Sequence, residues 1–330
     1  MESVPSIDLI LCTYNNAALL DRTLDAIAKQ KVSANARWQV LVVDNNCTDQ
    51  TQEVIAEHVR SGEISLRTVS EPRQGLTPAR LCGVKNTEGE WIAFVDDDCL
   101  LAEDWVEAAA RFAAGHPACG AFGGQVILEW ETAPPPYAAN RRYAYAGKYH
   151  GETAHRRPWL AGAGMVVRRE ALSDCGWIDR QFLEDRIGRR PVSGGDMEIG
   201  LRIAARHEVW YNPECKLRHV IPERRMTRQY LRGITFGLGA SRHNAMALTW
   251  KGSYPAWLIY GALYSLGLGA LGLRQFVREA LQHRSVDILL NVSPVRGWWA
   301  AMWEMLWMDP AERREGLGSA VPIKDARQTP

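Results

Sequence analysis

The sequence lacks a marked excess of charge of either sign. Its 39 lysine and arginine residues nearly balance 38 aspartate and glutamate residues, which leaves a net charge of +1 at pH 7. A nucleic-acid-binding protein usually carries a basic excess, so the composition argues against that class. The chain has 330 residues, 46% of them hydrophobic and 23% charged. These values are typical of a folded protein with one large domain, or one medium domain and an appendage.

Cysteine pairs at the spacing of a metal site are also missing. The seven cysteines are odd in number, and no two of them form a C-x-x-C motif. A cysteine zinc site is therefore not expected, and neither is a disulfide framework that uses every cysteine. Most of the cysteines stand beside apolar residues, so we expect free thiols in a reducing compartment.

The N-terminal residues 1–5 provide neither a basic segment nor an apolar one. A secretory signal needs both, so we expect the folded part of the chain to face the cytoplasm. Internal repeats and low-complexity tracts are absent as well, which leaves an ordinary globular arrangement.

The first 130 residues contain a regular alternation of two patterns. Short apolar runs predict strands at 7–12, 39–43, 65–69 and 91–95. Apolar residues at helical spacing predict helices at 17–30, 51–60, 78–86 and 103–114. Strands that alternate with helices indicate βαβ units and an α/β fold with a mainly parallel sheet.

Polar residues follow three of these predicted strands, at 13–16, 44–46 and 96–98. Ligands bind beyond the carboxyl ends of the strands in such sheets. We therefore expect these side chains to converge at one edge of the sheet. A proline-rich stretch at 132–136 predicts a loop, and the segment 141–158, rich in tyrosine, arginine and histidine, is predicted to be a mobile loop near the site.

Three adjacent aspartates, Asp96, Asp97 and Asp98, follow the buried strand at 91–95. Adjacent carboxylates repel one another unless a cation lies among them. Asp96 and Asp98 are two residues apart and project to the same side of an extended backbone. Such oxygen ligands suit Mg²⁺ or Mn²⁺. The alternative is a solvated acidic turn that caps the next helix.

Three more residues are candidates with competing interpretations. Asp44 can accept a hydrogen bond from a ligand N–H or form an Asx-turn. Asp196 follows two glycines at a predicted helix start, where it is either a functional carboxylate or an N-cap. His219 becomes a metal-ligand candidate only where the site needs a third protein donor, and is otherwise structural.

Residues 6–223 resemble the family-2 nucleotide-sugar glycosyltransferases of the GT-A fold. The matching segments are CTYN at 12–15, VDNNCTD at 43–49, EPRQGL at 71–76 with Ala79 and Arg80, FVDDD at 94–98 as the D-x-D motif, and GDME at 195–198. These five segments follow one another in the order of the family, and four of them in that order already make the resemblance specific. The stretches 211–222 and 241–243 also resemble bacterial members of exopolysaccharide biosynthesis.

The resemblance implies a fold and a set of roles. The fold is a GT-A type, Rossmann-like mixed sheet flanked by helices, with a C-terminal helical extension. Asp44 would accept from the N3–H of uracil or thymine, Asp196 would be the general base, and Mg²⁺ or Mn²⁺ would be the cofactor. The donor-binding residues would be Thr13, Asn15, Asp44, Arg80, Asp96 and Asp97, and the metal ligands would be Asp98, Asp96 and His219.

The sequence departs from the family in two places. Gly195 stands where the family often has a first acid, which keeps Glu198 as an alternative base. The motif Q-x-x-R-W of processive synthases is missing, so transfer of a single sugar is favoured. The mechanism implied is one displacement that inverts the anomeric carbon, in which Asp196 takes the acceptor proton and the cation, with Arg80 or an arginine of 141–157, stabilises the leaving diphosphate.

The implied partners are a UDP- or dTDP-sugar donor and a glycan or lipid-linked acceptor, and the implied pathway is cell-surface polysaccharide biosynthesis. One alternative is a sugar-phosphate nucleotidyltransferase, but its glycine-rich basic loop is missing after the first strand. A receiver-type signalling domain would leave Asp196 unexplained. A non-catalytic membrane scaffold would not need Asp44, Asp96, Asp98 and Asp196 together.

The domain division expected is 1–223 for the glycosyltransferase domain and 224–330 for a helical region. Residues 254–273 are uncharged and long enough to span a bilayer. Trp299, Trp303 and Trp307 lie four apart, on one face of a helix that suits the membrane interface. A membrane span, attachment at the inner face of the cell membrane, and soluble helix packing or a dimer interface all stay open.

Overall fold

The computed structural model of the chain describes residues 5–157, 159–183, 185, 194–281 and 287–320. The strands are β1 Ser6–Thr13, β2 Arg37–Asp44, β3 Leu66–Ser70, β4 Trp91–Asp96, β5 Cys99–Leu101, β6 Cys119–Gly123, β7 Val126–Trp130, β8 His155–Arg156, β9 Met165–Arg168, β10 Glu208–Tyr211 and β11 Leu217–Ile221. The α-helices are α1 Ala17–Ala28, α2 Thr51–Ser61, α3 Leu76–Lys85, α4 Trp105–Gly115, α5 Pro136–Ala139, α6 Arg169–Asp174, α7 Gly195–Ala204, α8 Arg228–Leu248, α9 Tyr254–Leu281, α10 Ile288–Trp307 and α11 Pro310–Gly316.

Eight strands form one mixed sheet, in the order β3-β2-β1-β4-β9-β6-β10-β8. The first four strands of the chain pair in parallel, whereas β9 runs antiparallel to both β4 and β6. Alternate residues of β1 enter different cores, since Leu9 and Leu11 pack on one face and Ile10 packs on the other. Each buried side chain of this size stabilises the fold by about 1.5–3 kcal/mol. The predicted α/β sheet flanked by helices is confirmed.

The register of the parallel strands brings the predicted polar segments together. Thr13 at the end of β1 is paired with Asp44 at the end of β2. Cys12 is paired with Asp96 at the end of β4. The carboxyl ends of the three strands therefore lie side by side at one edge of the sheet.

A second, three-stranded sheet in the order β5-β11-β7 adds a histidine to this edge. β5 begins directly after the three aspartates, and β11 runs antiparallel to it. The register pairs His219 with Cys99. His219, which is 121 to 123 residues from the aspartates along the chain, therefore lies beside them in the fold.

The C-terminal helices pack closely on one another. A Cβ atom on Gly239 of α8 would lie 2.0 Å from the carbonyl oxygen of Pro294, and one on Gly297 of α10 would lie 1.9 Å from that of Phe236. Only glycine allows the two backbones to approach so closely. α9, by length and composition, could cross a membrane, yet it also packs against α10.

The structure also tests the predicted loops and the predicted free thiols. Pro136 begins the short helix α5, so the predicted loop at 132–136 ends one residue early. The segment 141–157 contains a 3-10 helix at Arg142–Tyr145 and the strand β8, while Pro158 lies outside the described residues. All seven cysteines are free, as expected.

Candidate active site

A cavity of about 1400 Å³ opens between the carboxyl edge of the main sheet and the C-terminal helices. Five aspartates line it on the side of the sheet, and we call this side the acidic end: Asp96, Asp97, Asp98, Asp185 and Asp196. Four residues predicted for donor or metal binding also line the cavity, namely Thr13, Asn15, Arg80 and His219. The sequence-predicted residues, except Asp44, therefore share one concave surface.

Asp96 and Asp98 point to the same region, as their spacing predicts. One carboxylate oxygen from each and the thiol of Cys99 all lie within 4.8 Å of one another. Asp98 is only 3% exposed, whereas Asp96 is half-buried at the cavity wall. The two carboxylates thus offer oxygen ligands to one cation.

Asp97 turns in another direction and ties two strand ends together. Its Oδ2 accepts a hydrogen bond from the Thr13 hydroxyl at 2.7 Å, and its Oδ1 accepts one from the Asn16 amide at 2.8 Å. Burial and the negative charge of Asp98 raise the pKa of Asp97 to about 7. Thr13 and Asp97, both predicted to bind donor, are therefore hydrogen-bonded to each other.

Asp98 lies between a histidine and an arginine side chain. The His219 Nε2 is 3.3 Å from one of its oxygens, and the Arg225 guanidinium is 2.5 Å from the other. Burial opposes ionisation, but these two neighbours hold the pKa of Asp98 well below its usual range. Arg225 was not predicted as a site residue from the sequence, because its position just after β11 carries no motif.

His219 is oriented to share a divalent cation with Asp98. The Nδ1 of His219 lies 2.8 Å from the Tyr145 carbonyl oxygen and can donate a hydrogen bond to it. A histidine fixed in this way presents the lone pair of Nε2 to a metal. Ligand atoms bound at about 2.1 Å around one ion lie about 3 Å apart, close to the 3.3 Å between His219 and Asp98.

Asp196 and Glu198 have different surroundings although only one residue separates them. The Oδ2 of Asp196 accepts a hydrogen bond from Gly162 N–H at 2.8 Å, and the side chain faces the cavity from the first turn of α7. Glu198 is 0% exposed. It accepts hydrogen bonds from the backbone N–H groups of Phe182 and Leu183 and from Arg202.

Glu198 therefore holds the segment before α7 in place, and burial raises its pKa despite these hydrogen bonds. Asp196 is not an N-cap, because the cap position is Gly194 and no side-chain cap bond forms there.

Arg80 is buried in the wall among carboxylates. Its guanidinium lies 3.2 Å from Asp185 and 3.9 Å from Asp96. A Cβ on Gly195 would lie only 2.5 Å from the Oδ2 of Asp185. Asp185 thus occupies the space of a side chain at position 195, where the family often has its first acid. Because Asp185 comes from another segment, the motif spacing did not reveal it.

Asp44 and Asn15 organise the loops that follow β1 and β2. Asp44, 6% exposed, accepts hydrogen bonds from Cys47 N–H and from the Gln52 amide and does not line the cavity. Asn15 adopts a φ of 50° and accepts a hydrogen bond from Thr48 N–H at 2.7 Å. The contacts of Asp44 thus agree with the Asx-turn interpretation. Its contact with a donor base stays a prediction.

Asn45 is a further residue that the sequence did not single out. Its amide donates to the carbonyl oxygens of Glu71 and Arg73, and its oxygen accepts from Gly75 N–H at 2.8 Å. Asn45 therefore connects the loop after β3 to the loop after β2. This explains how the segment 71–76 reaches the cavity wall.

Comparisons with known proteins identify the class of this site. A sequence profile described as "Glycosyl transferase family 2" matches residues 8–176. The succinoglycan biosynthesis protein ExoM of Rhizobium meliloti is 25% identical over 260 residues, which are 77% of this chain and 79% of that protein. A glucosyl-dolichyl phosphate glucuronosyltransferase of Haloferax volcanii is 23% identical over 243 residues, 72% of this chain and 76% of that protein.

Solved structures share the fold. The mannosyltransferase PcManGT from Pyrobaculum calidifontis, solved with GDP-Man and Mn²⁺, matches with a TM-score of 0.58 and 20% identity over 91% of this chain and 88% of that one. TarS residues 1–349 from S. aureus, solved with UDP-GlcNAc, matches with a TM-score of 0.50 and 14% identity over 92% of each chain. The GT-A architecture expected from the sequence is thereby confirmed.

Proposed function

Because the chain belongs to glycosyl transferase family 2, we propose that it transfers a single sugar from a UDP- or dTDP-sugar to a hydroxyl group, with inversion at the anomeric carbon. The observation that supports this most directly is the convergence of Asp96, Asp98 and Asp196 on one cavity. Two of these carboxylates are placed for a cation, and the third is placed for the acceptor proton. The similarity to ExoM supports a role in exopolysaccharide or other cell-surface polysaccharide biosynthesis.

The donor diphosphate would lie against the aspartates at the end of β4. Asp98, Asp96 and His219 would hold Mg²⁺ or Mn²⁺, which neutralises the charge of the leaving diphosphate. Arg80, fixed by Asp185 and Asp96, adds a positive charge in the same wall. Thr13, Asn15 and Asp97 shape the floor on which the nucleotide would rest.

The acceptor hydroxyl would approach from the side of α7. Asp196 accepts its proton while the oxygen attacks the sugar carbon from the face opposite the diphosphate. Asp196 keeps one oxygen on Gly162 N–H, which fixes its orientation. Glu198 is turned into the protein and pairs with Arg202, so we assign the base to Asp196.

The reaction can be tested with a screen of nucleotide sugars, with and without Mn²⁺, on the wild type and on Asp196→Asn. We expect sugar transfer or donor hydrolysis with a UDP- or dTDP-sugar, dependence on the cation, and slow transfer in the variant. Full activity of the wild type in excess chelator would contradict the role of the metal. Equal rates for the wild type and Asp196→Asn would contradict the base.

We also propose that α9 and α10 attach the protein to the inner face of the cell membrane. Seven large apolar side chains of α9 are exposed, and most follow one face of the helix: Ile259, Leu263, Leu266, Leu271, Leu273, Val277 and Leu281. Trp299, Trp303 and Trp307 of α10 are exposed as well. Such a surface suits the interface of a bilayer.

The packing of α9 favours attachment over a membrane span. Its opposite face is covered in part by α10, where Trp298 donates a hydrogen bond to the Gly261 carbonyl at 3.0 Å. Near its C-terminal end, Glu279 forms a buried ion pair with Arg141 at 2.8 Å. A helix held to the catalytic part in this way has one face left for the bilayer.

Vesicle flotation tests this attachment without truncating the chain. Leu266 is 70% exposed on α9, so Leu266→Glu should prevent binding to the vesicles because a charge would enter the acyl region. Val59→Glu, at an exposed apolar residue of α2, is the matched control and should bind like the wild type. Unchanged binding of Leu266→Glu would contradict this attachment.

A further inference from the structure

The part of the cavity that the C-terminal helices form differs in charge from the acidic end. Three arginines of α8 and α9, Arg242, Arg274 and Arg278, line it, and we call this the cationic end. Among the described residues of α8, α9 and α10, no carboxylate lines the cavity. The acidic end combines carboxylates with cationic partners, whereas the helices contribute only cationic charge to the lining.

Arg274 and Arg278 lie one helical turn apart, so they share a side of α9. Both are exposed, and within the described ranges neither forms an ion pair. The nearby carboxylate of Glu279 is already bound to Arg141, Asn291 and Gln275. The two guanidinium groups thus have their donors available for an anion from outside the protein.

The same part of the cavity is apolar between the arginines. Leu268 and Leu271 of α9 and Leu238 of α8 contribute to the lining. Arg242 lies over the ring of Tyr264 at 5.4 Å, which places this third cation at the groove between the two helices. The groove therefore combines an aliphatic surface with charged hydrogen-bond donors.

The position of α9 connects this groove to the proposed membrane surface. Leu266 and Leu273 point outward from the helix that carries Arg274 and Arg278. An interfacial helix lies about 5–10 Å deep, near the boundary of headgroups and acyl chains. A phosphate attached to a membrane-embedded chain would be found at that depth.

We infer that Arg274 and Arg278, with Arg242, bind the phosphate group of a lipid-linked acceptor, whose chain stays in the membrane and whose sugar end points to Asp196. This inference rests on the proposed function and deepens it, because it selects the lipid-linked class of acceptor. The arginines offset the repulsion that the carboxylates left uncompensated at the acidic end exert on an anionic acceptor. Their fork of donors suits phosphate oxygens.

Flotation with three kinds of phosphatidylcholine vesicle tests the inference. The vesicles contain a few mole per cent of a long-chain isoprenoid phosphate, of the corresponding isoprenoid alcohol, or of phosphatidylglycerol. We expect the full-length wild type to prefer the isoprenoid phosphate over both others. Arg274→Gln with Arg278→Gln should reduce this preference roughly tenfold or more, because each arginine gives up charged hydrogen bonds to phosphate.

Arg296→Gln is the matched control, because Arg296 is an exposed arginine of α10 that does not line the cavity. It should keep the preference of the wild type. Equal binding to phosphatidylglycerol and isoprenoid phosphate, or an equal loss in Arg296→Gln, would mean attraction to anionic headgroups and would overturn the inference. An unchanged preference in the double variant would overturn it too.

Donor binding separates this result from the proposed function. UDP affinity measured by calorimetry in the presence of Mn²⁺ should be the same in the double variant and the wild type, because Arg274 and Arg278 lie on α9 and not at the strand ends. If neither UDP nor another nucleotide binds the wild type, the proposed transferase reaction fails, whatever the vesicles show. If UDP binds equally but the phosphate preference is missing, only the acceptor class is wrong.

Discussion

The two ends of the cavity differ in how their charges are held. At the acidic end, Asp98 is bound by His219 and Arg225, and Asp185 is bound by Arg80. At the cationic end, Arg274 and Arg278 are exposed on one helix. The acidic end is thus fixed before any ligand arrives, whereas the cationic end has side chains that are free to rearrange around a ligand.

This difference matches what each end has to do in a transfer reaction. A cation and a proton acceptor must be held in a fixed geometry relative to the reacting carbon, because small displacements slow the chemistry strongly. An anchoring site for the far part of an acceptor contributes mainly to binding and tolerates more freedom. Substitutions at the acidic end should therefore change kcat, and those at the cationic end should change the KM of the acceptor.

The largest effect is expected for Asp98→Asn. The variant loses one charged cation ligand and leaves Arg225 and His219 without their shared carboxylate, so transfer should be nearly abolished. The measurement is the rate of transfer over a series of Mn²⁺ concentrations, with a thermal melt to confirm folding. Near-normal rates at low Mn²⁺ would mean that Asp98 is only a structural partner of His219 and Arg225.

Asp196→Asn should lower kcat about 10²–10⁴-fold, because general base catalysis contributes that much. Donor affinity should change little, since Asp196 lies on α7 and not at the strand ends. Glu198→Gln is the paired variant. It weakens a buried ion pair with Arg202, which should lower the free energy of unfolding by roughly 3 kcal/mol and leave kcat of the folded enzyme nearly unchanged. The assignment is reversed if Glu198→Gln is folded but inactive while Asp196→Asn stays active.

The sequence predicted the acidic end better than the rest of the cavity for a physical reason. Strand ends in a parallel sheet meet at one edge, so Thr13, Asp96 and Asp98 could be placed together from periodicity alone. His219 could be placed only on condition that a metal site needed it, because the second sheet that carries it is not visible in the pattern. Asp185 and Arg225 pair with residues more than 100 positions away, and no local spacing encodes such pairs.

The C-terminal region was predicted to be helical, but the sequence did not indicate which face of each helix would be buried and which would be exposed. The uncharged stretch at 254–273 ends before Arg274, so its pattern gave no reason to connect that arginine with the strand ends. Burial of one side of α9 against Trp298 and exposure of the other side are tertiary facts. They depend on the close contact of α8 and α10 at their glycines, and local helix propensity does not predict this contact.

A buried histidine lies in the packing of the helical region, and acid should weaken this packing. His243 of α8 is fully buried between the rings of Trp257 and Trp298, and its Nδ1 lies 2.9 Å from the Asn244 side chain. Burial lowers its pKa from 6.5 to about 4. The unfolded chain therefore binds a proton below pH 6.5 that the folded chain does not bind until about pH 4, and stability falls over this window.

The loss on acidification from pH 7 to pH 4 should reach roughly 3 kcal/mol from this residue. His243→Leu should remove that part of the pH dependence, which denaturant unfolding at several pH values can measure. Identical pH profiles for the wild type and the variant would mean that His243 does not titrate differently in the two states.

The smallest effect is expected for Asp44, the one predicted donor-binding residue that does not line the cavity. Uracil and thymine have an N3–H that a carboxylate can accept, whereas cytosine has no hydrogen there. For Asp44 to accept it, the Gln52 amide that now binds one of its oxygens must yield its place to the base, while the Cys47 N–H keeps the other oxygen.

Asp44→Asn should then weaken UDP binding roughly tenfold and reduce the preference for UDP over CDP, because the amide can turn its donors toward the N3 of cytosine. Gln52→Ala is the matched variant, since it removes the competing donor, and should leave the preference intact or strengthen it. Calorimetry with UDP and CDP on the three proteins measures both affinities. If Asp44→Asn lowers the melting temperature but leaves the ratio of the two affinities unchanged, Asp44 serves the turn after β2 and another residue recognises the base.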